Sequence, residues 1–150
     1  GPTGPTGPTG TLSTATASIL TITNQTVANL ATIQFTSPVV ITENVTFNGT
    51  DTFTINVAGN YYFIGAIMPS SGQAGPVAVS VGFNGVASPG LDGANYGTAA
   101  GQEVIGFGFS GQVPAGTTVS LYNVSGQSIT IGGTTGSASP AARLSFFRIS

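Results

Sequence analysis

The chain contains no cysteine, histidine, lysine or tryptophan, and only 4% of its 150 residues are charged. Each absence removes a class of function. Without cysteine there is no disulfide framework and no thiolate metal site. Without histidine or cysteine the usual general bases and soft metal ligands are gone. The serines have no histidine to activate them and sit in no G-x-S-x-G elbow. The four acids are Glu43, Asp51, Asp92 and Glu103. None neighbours another, so no carboxylate pair for glycoside hydrolysis is signalled. We therefore expect a protein that is not an enzyme and needs no cofactor. The two cations, Arg143 and Arg148, and a pI near 4.3 leave no basic footprint for nucleic acid or anionic lipid. Mean hydropathy is +0.34, yet no apolar run approaches the ~20 residues of a membrane-spanning helix. The longest, Tyr61 to Met68, is broken by Gly65, so no membrane insertion is expected. No charged stretch followed by an apolar one opens the chain.

What is present in place of charge is Thr, Ser, Asn, Gln and Gly. Such a surface is hydrated through neutral groups, and its solubility should depend little on pH or salt. The first ten residues, GPTGPTGPTG, are three Gly-Pro-Thr triplets and a further glycine. Glycine at every third position beside proline is the requirement of the collagen triple helix, in which only glycine fits at the axis. The phase is lost after Gly10. A flexible Gly/Pro linker is the alternative, but linkers have no reason to keep identical triplets. The domain reading is residues 1–10 as the end of a collagen-like stalk and 11–150 as one head domain, a size sufficient for a core without staples.

From Thr11 onward, short β-branched and aromatic runs alternate with Gly, Asn, Ser and Pro clusters, and no stretch carries a helical period. The pattern predicts an all-β sandwich with strands near 17–23, 31–36, 39–41, 44–48, 52–57, 60–68, 76–84, 103–110, 117–124, 127–131 and 143–149. The Gly- and Ala-rich segments 87–101 and 132–142 read as loops. "NGTD" (48–51), "VAGN" (57–60) and "FNGV" (83–86) carry turn chemistry.

Alternation separates two kinds of strand. In "DTFTINV", Phe53, Ile55 and Val57 oppose Thr52, Thr54 and Asn56, which predicts one wet face. "PVAVSVGF" reads the same way, with Val77, Val79, Val81 and Phe83 opposed to Ala78, Ser80 and Gly82. By contrast "NYYFIGAIM", "TVSLYNV" and "RLSFFRI" are apolar on both sides. A sandwich covers one face of each sheet, so a second apolar face needs another partner, either loops folded over it or identical neighbours around an axis. A collagen stalk sets the number of neighbours at three. The expected homotrimer interface comprises Tyr62, Ile64, Tyr122, Val124, Phe147 and Ile149.

The residues "FTINVAGNYYF" carry the pattern F-x5-G-x-Y-x-F on Phe53, Gly59, Tyr61 and Phe63. With the collagen-type tail, this resembles the tumour-necrosis-factor/complement-head superfamily of trimeric jelly rolls. The next aromatic position of that pattern holds Gly65. The stretches "DTFTINVAGNYYFI", "VSVGFNGVASPG" and "PAGTTVSLYNVS", with the Gly-Pro-Thr triplets, are similar to the BclA-like collagen-like glycoproteins of the Bacillus exosporium. The resemblance implies a homotrimeric antiparallel jelly-roll head at the end of a filament on a spore surface or spore appendage, where it registers three collagen chains and meets abiotic or host surfaces. It also implies that stalk threonines are O-glycosylated, here Thr3, Thr6 and Thr9. Related complement heads hold calcium, which makes Asp92 of "GLDGAN" a candidate metal ligand, although a plain turn explains that stretch as well. The sequons at Asn24, Asn44, Asn48 and Asn123 are expected to be chance products of an Asn- and Thr-rich composition. Two other readings stay open. One is an adhesin or lectin-like head that binds a surface glycan or host protein through segments 87–101 and 132–142, where Tyr96 is the main aromatic platform. The other is a phage fibre head.

Overall fold

The computed structural model describes residues 1–5, 7, 13–98, 101, 103–132 and 140–150. Twelve strands and no helix form among them: β1 (Thr16–Thr21), β2 (Gln25–Val27), β3 (Val39–Glu43), β4 (Val45–Phe47), β5 (Phe53–Ile55), β6 (Gly59–Ile67), β7 (Val77–Phe83), β8 (Val86–Asn95), β9 (Ile105–Val113), β10 (Thr118–Asn123), β11 (Ile129–Ile131) and β12 (Ala142–Arg148). One five-stranded sheet has the order β3-β1-β12-β6-β9, a second has β4-β5-β10-β7-β8, and β2 pairs with β11 in a small ribbon. Every named pairing is antiparallel. The all-β sandwich expected from the punctuation is what forms.

The core explains why these runs become strands. Phe53, Ile55, Tyr61, Phe63, Val79, Val81, Val119, Leu121, Leu144 and Phe146 are fully buried. They stand at alternate positions of their strands, as a pleated surface facing one way requires. At the centre Phe63 and Phe146 lie 5.3 Å apart by ring centroid, and Phe53 meets Phe146 edge-on at 5.7 Å. Such pairs add about 0.5–1.5 kcal/mol beyond area burial. Tyr61 donates its hydroxyl to the Val57 carbonyl at 2.5 Å, which lets a phenol enter the core satisfied. Gly65 pairs directly with Phe107 across the sheet. A Cβ on Gly65 would lie 2.5 Å from Cζ of that ring. The ring expected at position 65 is supplied from the neighbouring strand instead.

Turn chemistry fixes the hairpins. Asn48 Oδ1 accepts from the backbone N–H groups of Thr50, Asp51 and Thr52. Asn84 and Gly85 both have positive φ, 52° and 81°, the requirement of a two-residue hairpin turn between β7 and β8.

Three expectations need correction. Segment 87–101 is not a loop over most of its length, because Val86–Asn95 is strand β8 paired with β7. Its small residues hide the strand signal and serve closure: a Cβ on Gly93 would collide with the Gly106 carbonyl, so β8 and β9 approach where the two sheet edges meet. Segment 31–36 forms no strand and contributes a single bridge, Thr32 to Tyr122. The second face of β7 is not wet, since Ala78 and Ser80 are buried with the valines.

Candidate functional site

Among the described residues, the outer face of the first sheet exposes apolar side chains on several strands. Register aligns its outward residues in rows across all five strands. One row runs Glu43, Thr16, Phe147, Tyr62, Ser110; the next Ile41, Ser18, Ser145, Ile64, Gly108; the third Val39, Leu20, Arg143, Ala66, Gly106. Across these rows Ile41 is 67% exposed, Val39 63%, Ile64 45% and Phe147 43%. Eight of the nine phenylalanines pack in or against the core, so Phe147 is the exception, and its ring lies 6.0 Å from that of Tyr62. Single exposed apolar residues are ordinary, whereas a contiguous face of them marks an interaction surface.

The six residues expected at an interface do not all meet on this face. Tyr62, Ile64 and Phe147 belong to it, and Ile149 continues it beyond the end of β12, its N–H donating to the Asn60 carbonyl. Tyr122 lies on the second sheet and Val124 follows that strand. Tyr122 is only 7% exposed. A Cβ on Gly82 would lie 2.7 Å from Cδ2 of the Tyr122 ring and 2.5 Å from the Val86 carbonyl oxygen, so the ring occupies the space that glycine leaves. Its apolar face is therefore covered by its own chain, which also explains the dry second face of β7. Burial raises the Tyr122 hydroxyl's pKa, the Asp51 charge adds to the rise, and a hydrogen bond with Ser120 opposes it. The residues missed were Leu20, Val39 and Ile41. β3 has the apolar run of a buried strand but is exposed along its whole length, a combination visible only once its neighbours are known.

The chain enters this face through an anchored segment. Thr14 donates to Glu43 at 2.5 Å, Asn44 Nδ2 donates to the Thr14 carbonyl at 2.6 Å, and Arg148 Nη1 donates to the Ser13 carbonyl at 2.9 Å. Ser13 and Thr14 are thus held just ahead of β1, where Thr16 pairs in register with Phe147. Thr3 is exposed, and Thr6 and Thr9 lie outside the described residues.

A second feature is a polar concavity of about 590 Å³ bordered by Asn95, Tyr96, Glu103 and Gly106. Tyr96 is 77% exposed. Its hydroxyl lies 3.4 Å from an Asp92 carboxylate oxygen, and Asn95 donates its amide to Glu103. Asp92 is a residue of strand β8, paired with Ser80. Among the described residues no three acids gather into a metal-holding group. Residues 133–139 of the other expected binding segment lie outside the described residues. Of the sequon asparagines, Asn123 is fully buried, its amide donating to the carbonyls of Val27 and Gln127. Among the described residues no helix is long and apolar enough to cross a membrane.

The two sheets and their strand order define the jelly roll of tumour-necrosis-factor and complement heads. The structure is similar to the globular domain of zebrafish complement 1qA, with TM-score 0.66 and 17% identity over 91% of this chain and 98% of that one. Murine APRIL matches with TM-score 0.66 and 9% identity over 91% and 100%. The Eiger TNF of S. frugiperda matches with TM-score 0.60 and 11% identity over 91% and 93%. No family profile and no curated protein matches the sequence. At these identities the likeness establishes the fold.

Proposed function

We propose that this chain is the trimerising head of a collagen-like filament, a non-catalytic structural protein displayed outside the cell on a bacterial spore or its appendages. The observation that carries the reading is the exposed apolar face of β3, β1, β12 and β6, in a sequence that places Gly-Pro-Thr triplets just ahead of β1. An apolar face alone is compatible with a dimer, and triplets alone with a linker. Together they call for three copies, because three chains must enter one triple helix and each brings an apolar face to be covered. The resemblance to trimeric jelly-roll heads supports the same number, and the BclA-like character of the triplets and of the uncharged head supports the spore surface. Gel filtration with light scattering tests the assembly: a mass of three chains is expected at micromolar concentration, and a monomer there would refute the reading. Sequence upstream of the triplets tests the setting, since a long triplet tract behind a short targeting leader belongs to a spore filament and a capsid-anchoring domain to a phage fibre.

A second reading rests on the concavity beside Tyr96. An exposed aromatic ring among amide and carboxylate groups is suited to stacking and hydrogen-bonding a sugar. Glycan-array binding that disappears on Tyr96→Ala supports an adhesin role, and binding indifferent to that change removes this site.

A further inference from the structure

The outer face contains one charge where an apolar interface would not place it. Arg143 projects from β12, the middle strand of the five, between Leu20 on one side and Ala66 on the other. The guanidinium also borders an apolar hollow of about 210 Å³ formed with Met68, Val104 and Pro140. Covering this face without a counter-charge would bury an unpaired cation, which strongly disfavours the contact. Arginine cannot escape by losing its proton. A face-to-face twofold contact brings Arg143 towards its own copy and is disfavoured by like charge. A threefold ring is heterologous instead, with one surface meeting a different surface on the next copy at the same height along the axis.

The acid that meets those conditions can be found by its end of the sheet and by what it adjoins. Glu43 lies in the Phe147 row, two rows below Arg143. At ~6.6 Å per two residues of strand it is about 13 Å away, at the end of the sheet opposite the hollow that Arg143 borders. Asp51 is held in the 48–52 turn by Thr32, Asn48 and Thr52. Asp92 is half-buried on the second sheet, opposite Ser80. Glu103 is exposed at the opposite end of the sheet from Glu43, just ahead of β9, the sheet's edge strand. It adjoins Val104, which lines the same hollow as Arg143. Its one described partner, Asn95, leaves a carboxylate with room for a second donor.

We propose that Arg143 on the face of one protomer pairs with Glu103 on the edge of the next, so that the three copies close a ring of three identical ion pairs. The proposal rests on the trimer reading above and adds which surface meets which: the middle of the first sheet on one copy against the β9 edge of its neighbour. Such a pair specifies register and handedness, because a contact rotated the other way leaves both charges buried alone.

Charge exchange tests it. Arg143→Glu and Glu103→Arg are each expected to raise the concentration at which the trimer half-dissociates by about tenfold or more, and the double exchange to recover most of that loss. Additive effects in the double variant would overturn the pairing. A covalent readout is independent of those energies. The chain has no cysteine, so Arg143→Cys with Glu103→Cys, treated with a short thiol-to-thiol crosslinker, should give covalent trimers, while each single variant should give none. Dimers from Arg143→Cys alone would show a face-to-face contact and refute the ring. A wild-type monomer would instead refute the trimer itself, so the two failures are distinguishable.

Discussion

Residue by residue, the fold is specified by a few polar side chains placed where strands must turn. Asp51 accepts from Thr32, Asn48 and Thr52, with Gln34 at 3.5 Å. Burial alone would raise its pKa, but these hydrogen bonds outweigh burial and hold the carboxyl below its ordinary 3.8. A group whose folded pKa is lowered stabilises the fold above its unfolded pKa, and the contribution disappears as pH falls through the folded value. Melting temperature should therefore drop as pH falls below about 4, and Asp51→Asn should flatten that decline while lowering stability at neutral pH. Thermal melts of both proteins between pH 2 and pH 7 check this, and parallel curves would show that Asp51 is not the linked group. Tyr122 carries the other residue-scale lesson. Its aromatic character was legible in the sequence, but its partner was not, because the partner is the missing side chain of Gly82 across the sheet. Gly82→Val should push that ring into solvent and cost about 1–3 kcal/mol, read as a shift in the unfolding midpoint.

At the scale of elements, strands with β-branched and aromatic alternation were legible and strands chosen for smallness were not. β6, β7, β10 and β12 fall within a residue or so of their expected spans, since each carries large residues toward the core. β8 escaped because Ala, Ser, Gly and Asp have weak strand preference. It forms only because β7 supplies its ladder and β9 requires a thin neighbour. The sandwich closes at Gly93 and Gly106, where two backbones replace two side-chain layers. Gly93→Ala places a methyl group against the Gly106 carbonyl and should cost about 1–3 kcal/mol, with hydrogen exchange accelerating first in β8 and β9. Loss spread evenly over both sheets would mean that this edge is not a separate unit. The exposed outer face was half legible for a related reason. Two-sided apolarity singled out β6 and β12, whose second face is exposed, but it does not tell an uncovered face from one covered by the same chain, and β10 is the second kind.

For the whole molecule, the proposed function turns on how a stalk would join the head. Segment 13–15 is bound by Arg148, Glu43 and Asn44, and Asn60 N–H donates to the Ser150 carbonyl. Residues 13–15 and 148–150 thus lie together at the Phe147 end of the face, where its apolar rows begin. Three triplets are far too few to nucleate a triple helix, because each chain must lose its freedom before any interchain contact compensates. A head that gathers three chains removes that concentration-dependent step by holding the triplets at high effective concentration. If this is how the molecule works, Phe147→Asp should uncouple both levels at once. A charge on the face would oppose burial of the neighbour by several kcal/mol, while the monomer core, which Phe147 does not enter, should keep its far-ultraviolet spectrum. In a chain lengthened by further Gly-Pro-Thr triplets, the polyproline-type circular dichroism signal and its cooperative melt should then be present with the native head and absent with Phe147→Asp. Persistence of that melt in a monomeric variant head would show that the stalk assembles without it.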